Sequence, residues 1–143
     1  MASFESKDPS FETRVRQSFA RQGFMAAIGA TMTRVSPGEV DIELPFRSDL
    51  TQQHGYMHGG VVTAIVDSAC GYAALSLMST GTEVLTVEYK VNFLAPARGS
   101  RMIACGRVTR PGRTITVCTG DVFAVDGEAR TLVATMLTTM LLR

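Results

Sequence analysis

Several features are scarce in this chain of 143 residues, and each scarcity excludes a class of protein. Three cysteines without a Cys-x-x-Cys pair are too few for a disulfide framework or a zinc site, so we expect free thiols and a cytoplasmic protein. The 14 basic and 13 acidic residues leave a formal charge of +1, which would attract neither nucleic acid nor an anionic membrane. The first residues show no secretory or organellar targeting pattern, and we expect residues 1–8 to be disordered.

Apolar residues are plentiful, at 45% of the chain, and they suffice for one core. We therefore expect a single domain over residues 1–143. The longest apolar stretch, residues 59–80, contains Asp67 and many small or polar residues, and its neighbours alternate as strands do. We interpret this stretch as a helix inside a soluble domain rather than a membrane span.

Hydrophobic periodicity predicts the first elements. Apolar side chains spaced four residues apart indicate an amphipathic helix over residues 8–27. Two strands, 31–35 and 40–44, flank the turn residues Ser36-Pro37-Gly38 and form a hairpin. Residues 60–78 are apolar nearly all round, which is typical of a helix surrounded by other elements.

Strand signals fill the rest of the chain. Strict alternation over residues 86–93 predicts Tyr89 on one face and Thr86 on the other. Three further strands, 100–110, 113–125 and 128–142, follow across good turn sequences, so we expect a four-stranded meander. The order predicts an α+β domain in which a six-stranded antiparallel sheet wraps around one long helix. A second copy of the chain would protect an open sheet edge by pairing across a two-fold axis.

The most informative stretch is His58-Gly59-Gly60, which opens the long helix, with Asp67 nine residues after His58. Asp67 is the only charged residue between His58 and Thr80, and a carboxylate on a buried helix is costly unless something compensates for it. A catalytic role is one reason to keep such a residue. A turn cap, or a pair with a buried arginine or lysine, is the alternative, and the residues alone leave both open.

This stretch and the later strand Thr86-Val87-Glu88-Tyr89-Lys90-Val91-Asn92-Phe93-Leu94-Ala95-Pro96 resemble the phenylacetate-degradation (PaaI-like) family of hotdog acyl-CoA thioesterases. The resemblance covers about residues 25–142. It implies a hotdog fold, hydrolysis of an acyl-CoA thioester and active sites at a homodimer interface, with dimers that often pair into tetramers. It also implies no metal and no cofactor, since coenzyme A is part of the substrate.

The resemblance implies roles for individual residues. Asp67 would serve as general base or nucleophile, and Gly59 would donate its amide to the substrate. His58 would orient the loop or the thioester, and Thr86 would help to place water. Gln52 stands where the family usually has asparagine or glutamine, so its amide would hold the water or the thioester. A solvated loop glutamine is the alternative.

The two glycines have a physical interpretation beside the family one. At a helix N-terminus, Gly59 and Gly60 would present unpaired N–H groups and the positive end of the dipole, which is the arrangement of an oxyanion hole. Alternatively they only permit a tight turn. Eight residues separate Gly59 from Asp67, a rise of about 12 Å in a helix. If both act on one thioester, Asp67 must therefore come from the neighbouring subunit.

Other residues are candidates for binding the substrate. Tyr56, Met57, Gly60 and Val61 are expected to line a pocket, and their apolar character suggests an aromatic or medium-chain acyl group. Arg110 and Arg113 lie on one tight turn and offer two guanidinium groups to the phosphates of coenzyme A, or they are solvated turn residues.

A metal site is a weaker interpretation of the same loop. His54 and His58 have the i, i+4 spacing of a metal pair, but the loop provides no third ligand, so we expect no metal.

Two other functions remain open from the sequence. A hotdog dehydratase or hydratase would need a histidine and a carboxylate that converge as an acid/base pair, which His58 and Asp67 superficially provide. The motif around the histidine differs from that of such enzymes. A non-catalytic acyl-CoA-binding domain would keep the pocket without turnover, and the joint presence of Gly59, Asp67 and Thr86 argues against it.

Overall fold

A computed structural model describes residues 3–143 of the chain. Within them, regular structure comprises three α-helices, one short 3-10 turn and six strands. The elements in chain order are α1 (Phe11–Ala20), α2 (Gly23–Ile28), β1 (Thr31–Ser36), β2 (Glu39–Pro45), the 3-10 turn (Ser48–Leu50), α3 (Gly59–Leu75), β3 (Val84–Phe93), β4 (Arg101–Arg110), β5 (Ile115–Asp126) and β6 (Ala129–Leu142).

The six strands form one antiparallel sheet in the order β1-β2-β4-β5-β6-β3, and α3 packs across one face of it. Alternate side chains of β2, β4, β5 and β6 point at α3 and are buried, which gives one core. The predicted sheet wrapped around one long helix is thus confirmed. The predicted meander is wrong for β3: because β4 pairs with β2 and β5 on its two sides, β3 pairs with β6 at the end of the sheet.

Two glycines of the sheet let α3 approach it closely. A Cβ atom on Gly106 would lie 2.3 Å from the backbone carbonyl carbon of Ala69. One on Gly120 would lie 2.5 Å from Val66 and 2.7 Å from the sulfur of Cys70. These contacts surround the helical turn that carries Asp67, so any side chain at either glycine would lift that turn off the sheet.

The N-terminal segment differs from expectation in two ways. The helix predicted over residues 8–27 is two helices, since Gln22 adopts an extended conformation between α1 and α2. The predicted disorder is wrong for residues 4–8, because Phe4 packs against the core and Asp8 is buried beside Arg14. The part of that expectation that falls on residues 1 and 2 lies outside the described residues.

Arg14 connects α1 to the C-terminal end of α3 through hydrogen bonds. Its guanidinium donates hydrogen bonds of 2.7 to 3.1 Å to three backbone carbonyls, that of Leu75 in the last turn of α3 and those of Met78 and Ser79 just after it. Carbonyls at a helix end have no partners within the helix, so the arginine satisfies groups that would otherwise need water. The position of α1 is therefore tied to that of α3.

Strand β3 occupies an edge of the sheet and carries exposed apolar side chains, including Val87 (58%), Tyr89 (47%) and Phe93 (55%). A β-bulge between Thr86 and Glu88 interrupts the predicted strict alternation. The extra residue turns Thr86 toward α3, on the same face as Tyr89, instead of the opposite face. Among residues 3–143, no helix combines the length and the apolar character that a bilayer crossing requires.

Candidate active site

Asp67 lies in the middle of α3, half-buried, and faces β3. The hydroxyl of Thr86 donates a hydrogen bond of 2.8 Å to its Oδ1 atom. Partial burial raises the pKa of the Asp67 carboxyl, and the hydrogen bond from Thr86 lowers that pKa in part. Within the described residues the carboxylate forms no ion pair with arginine or lysine, which argues against the structural alternative for this residue.

The start of α3 presents one free backbone donor. His58 is the N-cap residue, and its Nδ1 atom accepts the N–H of Gly60 at 2.8 Å. The expectation that both glycine amides are unpaired is therefore wrong for Gly60. The N–H of Gly59 has no hydrogen-bond partner in the part of the chain that the structure describes. It stands at the positive end of the helix dipole, where a negative oxygen would be stabilised.

One groove joins these two groups. It runs between α3 and β3 with a volume of about 670 Å³ and holds Gly59 toward one end and Asp67 toward the other. The residues that line it are His58, Gly59, Gly60, Thr63, Ala64, Asp67, Tyr89, Val91 and Phe93. The amide and the carboxylate lie about 12 Å apart along the helix axis. The structure therefore does not bring them together within one chain.

A second cavity, of about 450 Å³, adjoins the Gly59 end of the groove and contains Gln52, Tyr56 and Met57. The side-chain oxygen of Gln52 accepts the N–H groups of His54 at 2.6 Å and Tyr56 at 3.3 Å, which closes the loop before α3. Its NH2 group remains available to donate to a ligand. Gln52 thus lines the same cavity as Gly59.

A third cavity, of about 140 Å³, lies on the other side of Asp67. Its wall includes Ser18 from α1, Gln22 from the link between α1 and α2, and Gly71 and Tyr72 from α3. The sequence analysis missed these residues because a polar residue on an amphipathic helix and a small residue on a buried one look like ordinary packing positions.

The remaining predicted site residues lie elsewhere. Val61 packs against the core, and its neighbour Val62 lines the second cavity in its place. Arg113 borders a cavity at the opposite end of α3 from Gly59, and Arg110 is exposed on the same turn, so neither meets the groove within one chain.

His54 and His58 belong to no cluster of three potential metal ligands among the residues that the structure describes. In the described part of the chain, no three side chains of the histidine, cysteine, aspartate or glutamate type are close enough to hold a metal ion.

Similar proteins share one family. The model of the thioesterase superfamily matches residues 54–131, which is more than half of the chain. The crystal structure of a thioesterase family protein from Silicibacter pomeroyi is 47% identical in sequence, with a TM-score of 0.91 over 92% of this chain and 97% of that one.

More distant relatives agree with this family. Acyl-coenzyme A thioesterase 13 of Homo sapiens is 25% identical over 92 residues, which are 64% of this chain and 65% of that protein. The chain spans just under two thirds of the length of the first curated relatives that it matches. The PaaI protein from the phenylacetic acid degradation operon of E. coli is 17% identical, and its TM-score of 0.82 over 92% of both chains confirms the predicted hotdog fold.

Proposed function

The chain belongs to the thioesterase superfamily, with a hotdog fold of the PaaI-like type, and we propose that it hydrolyses acyl-CoA thioesters at a site shared by two copies of the chain. One observation carries the proposal. A single open groove has an unpaired helix N-terminal amide, that of Gly59, toward one end and a half-buried carboxylate, that of Asp67, toward the other. Thioester hydrolysis needs both kinds of group at one carbonyl.

A two-fold axis would bring the two groups together. When two identical grooves face each other in opposite directions, Gly59 of each copy lies opposite the partner's Asp67, because contacts across such an axis are reciprocal. The groove and the β3 edge expose Tyr89 and Phe93, which a second copy would bury. The unpaired edge of β3 would continue into the partner's sheet at the same time.

The proposed chemistry assigns a task to each group. The thioester carbonyl oxygen becomes negative in the tetrahedral intermediate and accepts the N–H of Gly59. The partner's Asp67 either removes a proton from the attacking water or attacks the carbonyl carbon itself, and both routes need the ionised carboxylate. In the first route the C–S bond breaks as the free acid forms, and the proton that Asp67 took from water passes to the leaving thiolate of coenzyme A. In the second route breakage of the C–S bond releases the thiolate and leaves a mixed anhydride on Asp67, which water then hydrolyses to the free acid and the carboxylate. His58 fixes the first turn of α3 through Gly60, and the Gln52 amide donates to the carbonyl or the water.

Two alternatives fit the geometry less well. In a dehydratase or hydratase, the histidine would have to exchange a proton, yet the Nδ1 atom of His58 is occupied by the helix cap. In a binding domain without turnover, a carboxylate at this position would have no task. Asp67 instead borders open cavities on two sides and has no ion-pair partner among residues 3–143.

Thiol release from a panel of aryl and alkyl acyl-CoAs tests the proposal directly. The wild type is expected to release free coenzyme A, detected with a disulfide dye, and to elute at the size of a dimer or a larger even assembly. The absence of turnover across the whole panel would overturn the proposal, as would full activity in a protein that is monomeric at the assay concentration.

The pH dependence of kcat/KM should reflect the pKa of the Asp67 carboxyl. Since burial raises the pKa of this carboxyl, kcat/KM is expected to fall with decreasing pH from a point above the ordinary aspartate pKa of about 3.9. Thr86→Val removes a hydrogen bond that favours the charged form, so the acid limb should move to higher pH. The measurement is kcat/KM against pH for both proteins.

Thr139→Val is the matched control, because Thr139 also donates to a carboxylate, that of Glu88, but not to Asp67. Its acid limb should coincide with that of the wild type. An acid limb that stays in place or moves to lower pH in Thr86→Val would show that another group controls the reaction.

A further inference from the structure

We propose that the cavity of about 140 Å³ beside Asp67 is the acyl pocket and that helix α1 closes it, so that the enzyme accepts compact, uncharged acyl groups. This inference rests on the function proposed above. It adds the substrate class and the residues that set it: Gly71 on α3, Ser18 on α1 and Gln22 in the link between α1 and α2. Ser18 and Gln22 both contact the hydroxyl of Tyr72.

The volume of the cavity limits the acyl group. A cavity of roughly 150 Å³ in a protein interior accommodates one benzene-sized molecule, or about six non-hydrogen atoms. The cavity here has nearly that size, and Asp67 and Thr86 border it. An acyl chain that begins at a carbonyl held near Asp67 would therefore have room for one ring or about six carbons. This limit is narrower than the medium-chain range that the loop residues suggested.

Gly71 leaves this space open. It follows Asp67 by four residues and so lies on the same face of α3, one turn later. A Cβ atom at this position would meet only the terminal carbon of Met140, at 4.0 Å, so no steric conflict requires glycine. Glycine is less stable than alanine inside a helix. Room for a ligand explains why the position carries no side chain.

A hydrogen-bonded wall closes the far side of the pocket. The buried hydroxyl of Tyr72 lies 3.1 Å from the Ser18 hydroxyl and accepts the side-chain N–H of Gln22 at 3.0 Å. Phe19 packs edge-on against the Tyr72 ring, with the centroids 5.9 Å apart. The contacts of Arg14 hold α1 in place. Together they make the wall a fixed part of the fold.

Gln22 separates the pocket from a larger apolar space. It borders the acyl pocket on one side and, on the other, a cavity of about 380 Å³ between α1, α2 and β1. The second cavity contains Phe19, Ala26, Ala30 and Met32 and would suit a longer hydrocarbon chain. Removal of the Gln22 side chain would therefore join the two spaces.

The charge of the pocket restricts the acyl group further. Two carboxylates, those of Asp67 and Glu83, border the cavity, and among the described residues no lysine, arginine or histidine does. An acyl group that ends in a carboxylate would meet like charge without a compensating cation. An uncharged acyl group avoids this repulsion.

Two variants that should shift the preferred acyl chain length in opposite directions test the proposal. With straight-chain acyl-CoAs of about two to sixteen carbons, wild-type kcat/KM is expected to peak near six carbons and to fall at least about tenfold by twelve. Gln22→Ala should raise the ratio of kcat/KM for about twelve carbons to that for about six by about tenfold. Gln17 is exposed on the neighbouring helix α1 and borders neither cavity, so Gln17→Ala should leave this ratio unchanged.

Gly71→Ala should shift the profile the other way, toward chains shorter by about one methylene, because its methyl group occupies the pocket. Alanine favours the helix, so the melting temperature should not fall and loss of folding cannot explain the shift. A wild type that hydrolyses long and short chains equally, or variants that leave the profile in place, would overturn the proposal.

A binding measurement separates this proposal from the function on which it rests. Non-hydrolysable S-alkyl thioethers of coenzyme A of the same chain lengths are titrated calorimetrically into the wild type and Gln22→Ala. Length-limited binding without any turnover would reject the thioesterase function and retain the pocket. Turnover with no length limit in binding or rate would retain the function and reject the pocket.

Discussion

Asp67→Asn is expected to lower kcat/KM for acyl-CoA hydrolysis by about a hundred- to ten-thousand-fold, because the amide can neither accept a proton nor attack a carbonyl. The substitution keeps the shape of the side chain and an oxygen that accepts the hydrogen bond of Thr86. The measurement is kcat/KM from thiol release, with the acyl-CoA that the wild type hydrolyses best. Activity within about tenfold of the wild type would exclude Asp67 as the reacting carboxylate.

The same substitution should increase the stability of the folded state, although it lowers the activity. The folded-state pKa of Asp67 is raised above the unfolded value, so at neutral pH the ionised carboxylate destabilises the folded state relative to a neutral amide. The variant should therefore exceed the wild type in free energy of unfolding at pH 7. This difference should shrink as the pH falls below the folded-state pKa and vanish below the unfolded-state pKa, where the carboxyl is neutral in both states. Asp121→Asn, on the other face of the sheet, is the matched control for activity.

Gly59→Pro is expected to lower kcat by about a hundred- to a thousandfold, because proline removes the one unpaired N–H at the start of α3. Proline is well tolerated at the first position of a helix. His58, with φ −61° and ψ 136°, already has the extended conformation that a residue before proline prefers. The backbone change is therefore confined to the donor itself.

Gly59→Ala is the control for the added bulk. Both substitutions place a Cβ atom about 3.2 Å from the Phe93 ring, which must move slightly, but only alanine keeps the N–H. The ratio of the two activities therefore measures the loss of the N–H together with the ring carbons that proline places on the nitrogen. Equal activity in both variants would mean that Gly59 contributes space and not a hydrogen bond.

Gly59→Pro and Asp67→Asn, mixed together, test whether two copies of the chain share each active site. If Gly59 acts with the partner's Asp67, a refolded equimolar mixture of Gly59→Pro and Asp67→Asn should recover about a quarter of wild-type activity, since half of the dimers are mixed and each has one intact site. If each site lies within one chain, the mixture should stay inactive. A different affinity tag on each variant, with sequential purification over both tags, verifies that mixed assemblies have formed.

Much of the architecture could be predicted from the sequence, because it follows from local periodicity. The hairpin around Ser36-Pro37-Gly38, the long apolar helix and the last three strands lie within a few residues of their predicted bounds. Asp67 and Gly59 stood out for a related reason, since an unpaired charge or an open helix start in an apolar segment has few structural explanations.

The features that could not be predicted from the sequence depend on contacts between elements and on side-chain conformations. The bulge that turns Thr86 toward Asp67 is visible only in the pairing of β3 with β6, and that pairing joins strands that are far apart in sequence. The His58 side chain captures the Gly60 amide through rotamer choice, which no pattern of residue types encodes. The polar wall of Ser18 and Gln22 appears only when α1 packs against Tyr72.

The glycines beneath α3 bear on how this fold can change over evolutionary time. At Gly106 and Ala69 the backbone of the sheet contacts the backbone of α3 directly, without a side chain between them. Exchange of one apolar core residue for another can therefore alter the packing elsewhere without changing the height of the Asp67 turn above the sheet. The interior of this fold can therefore diverge widely while the side chain of Asp67 keeps its depth below the surface.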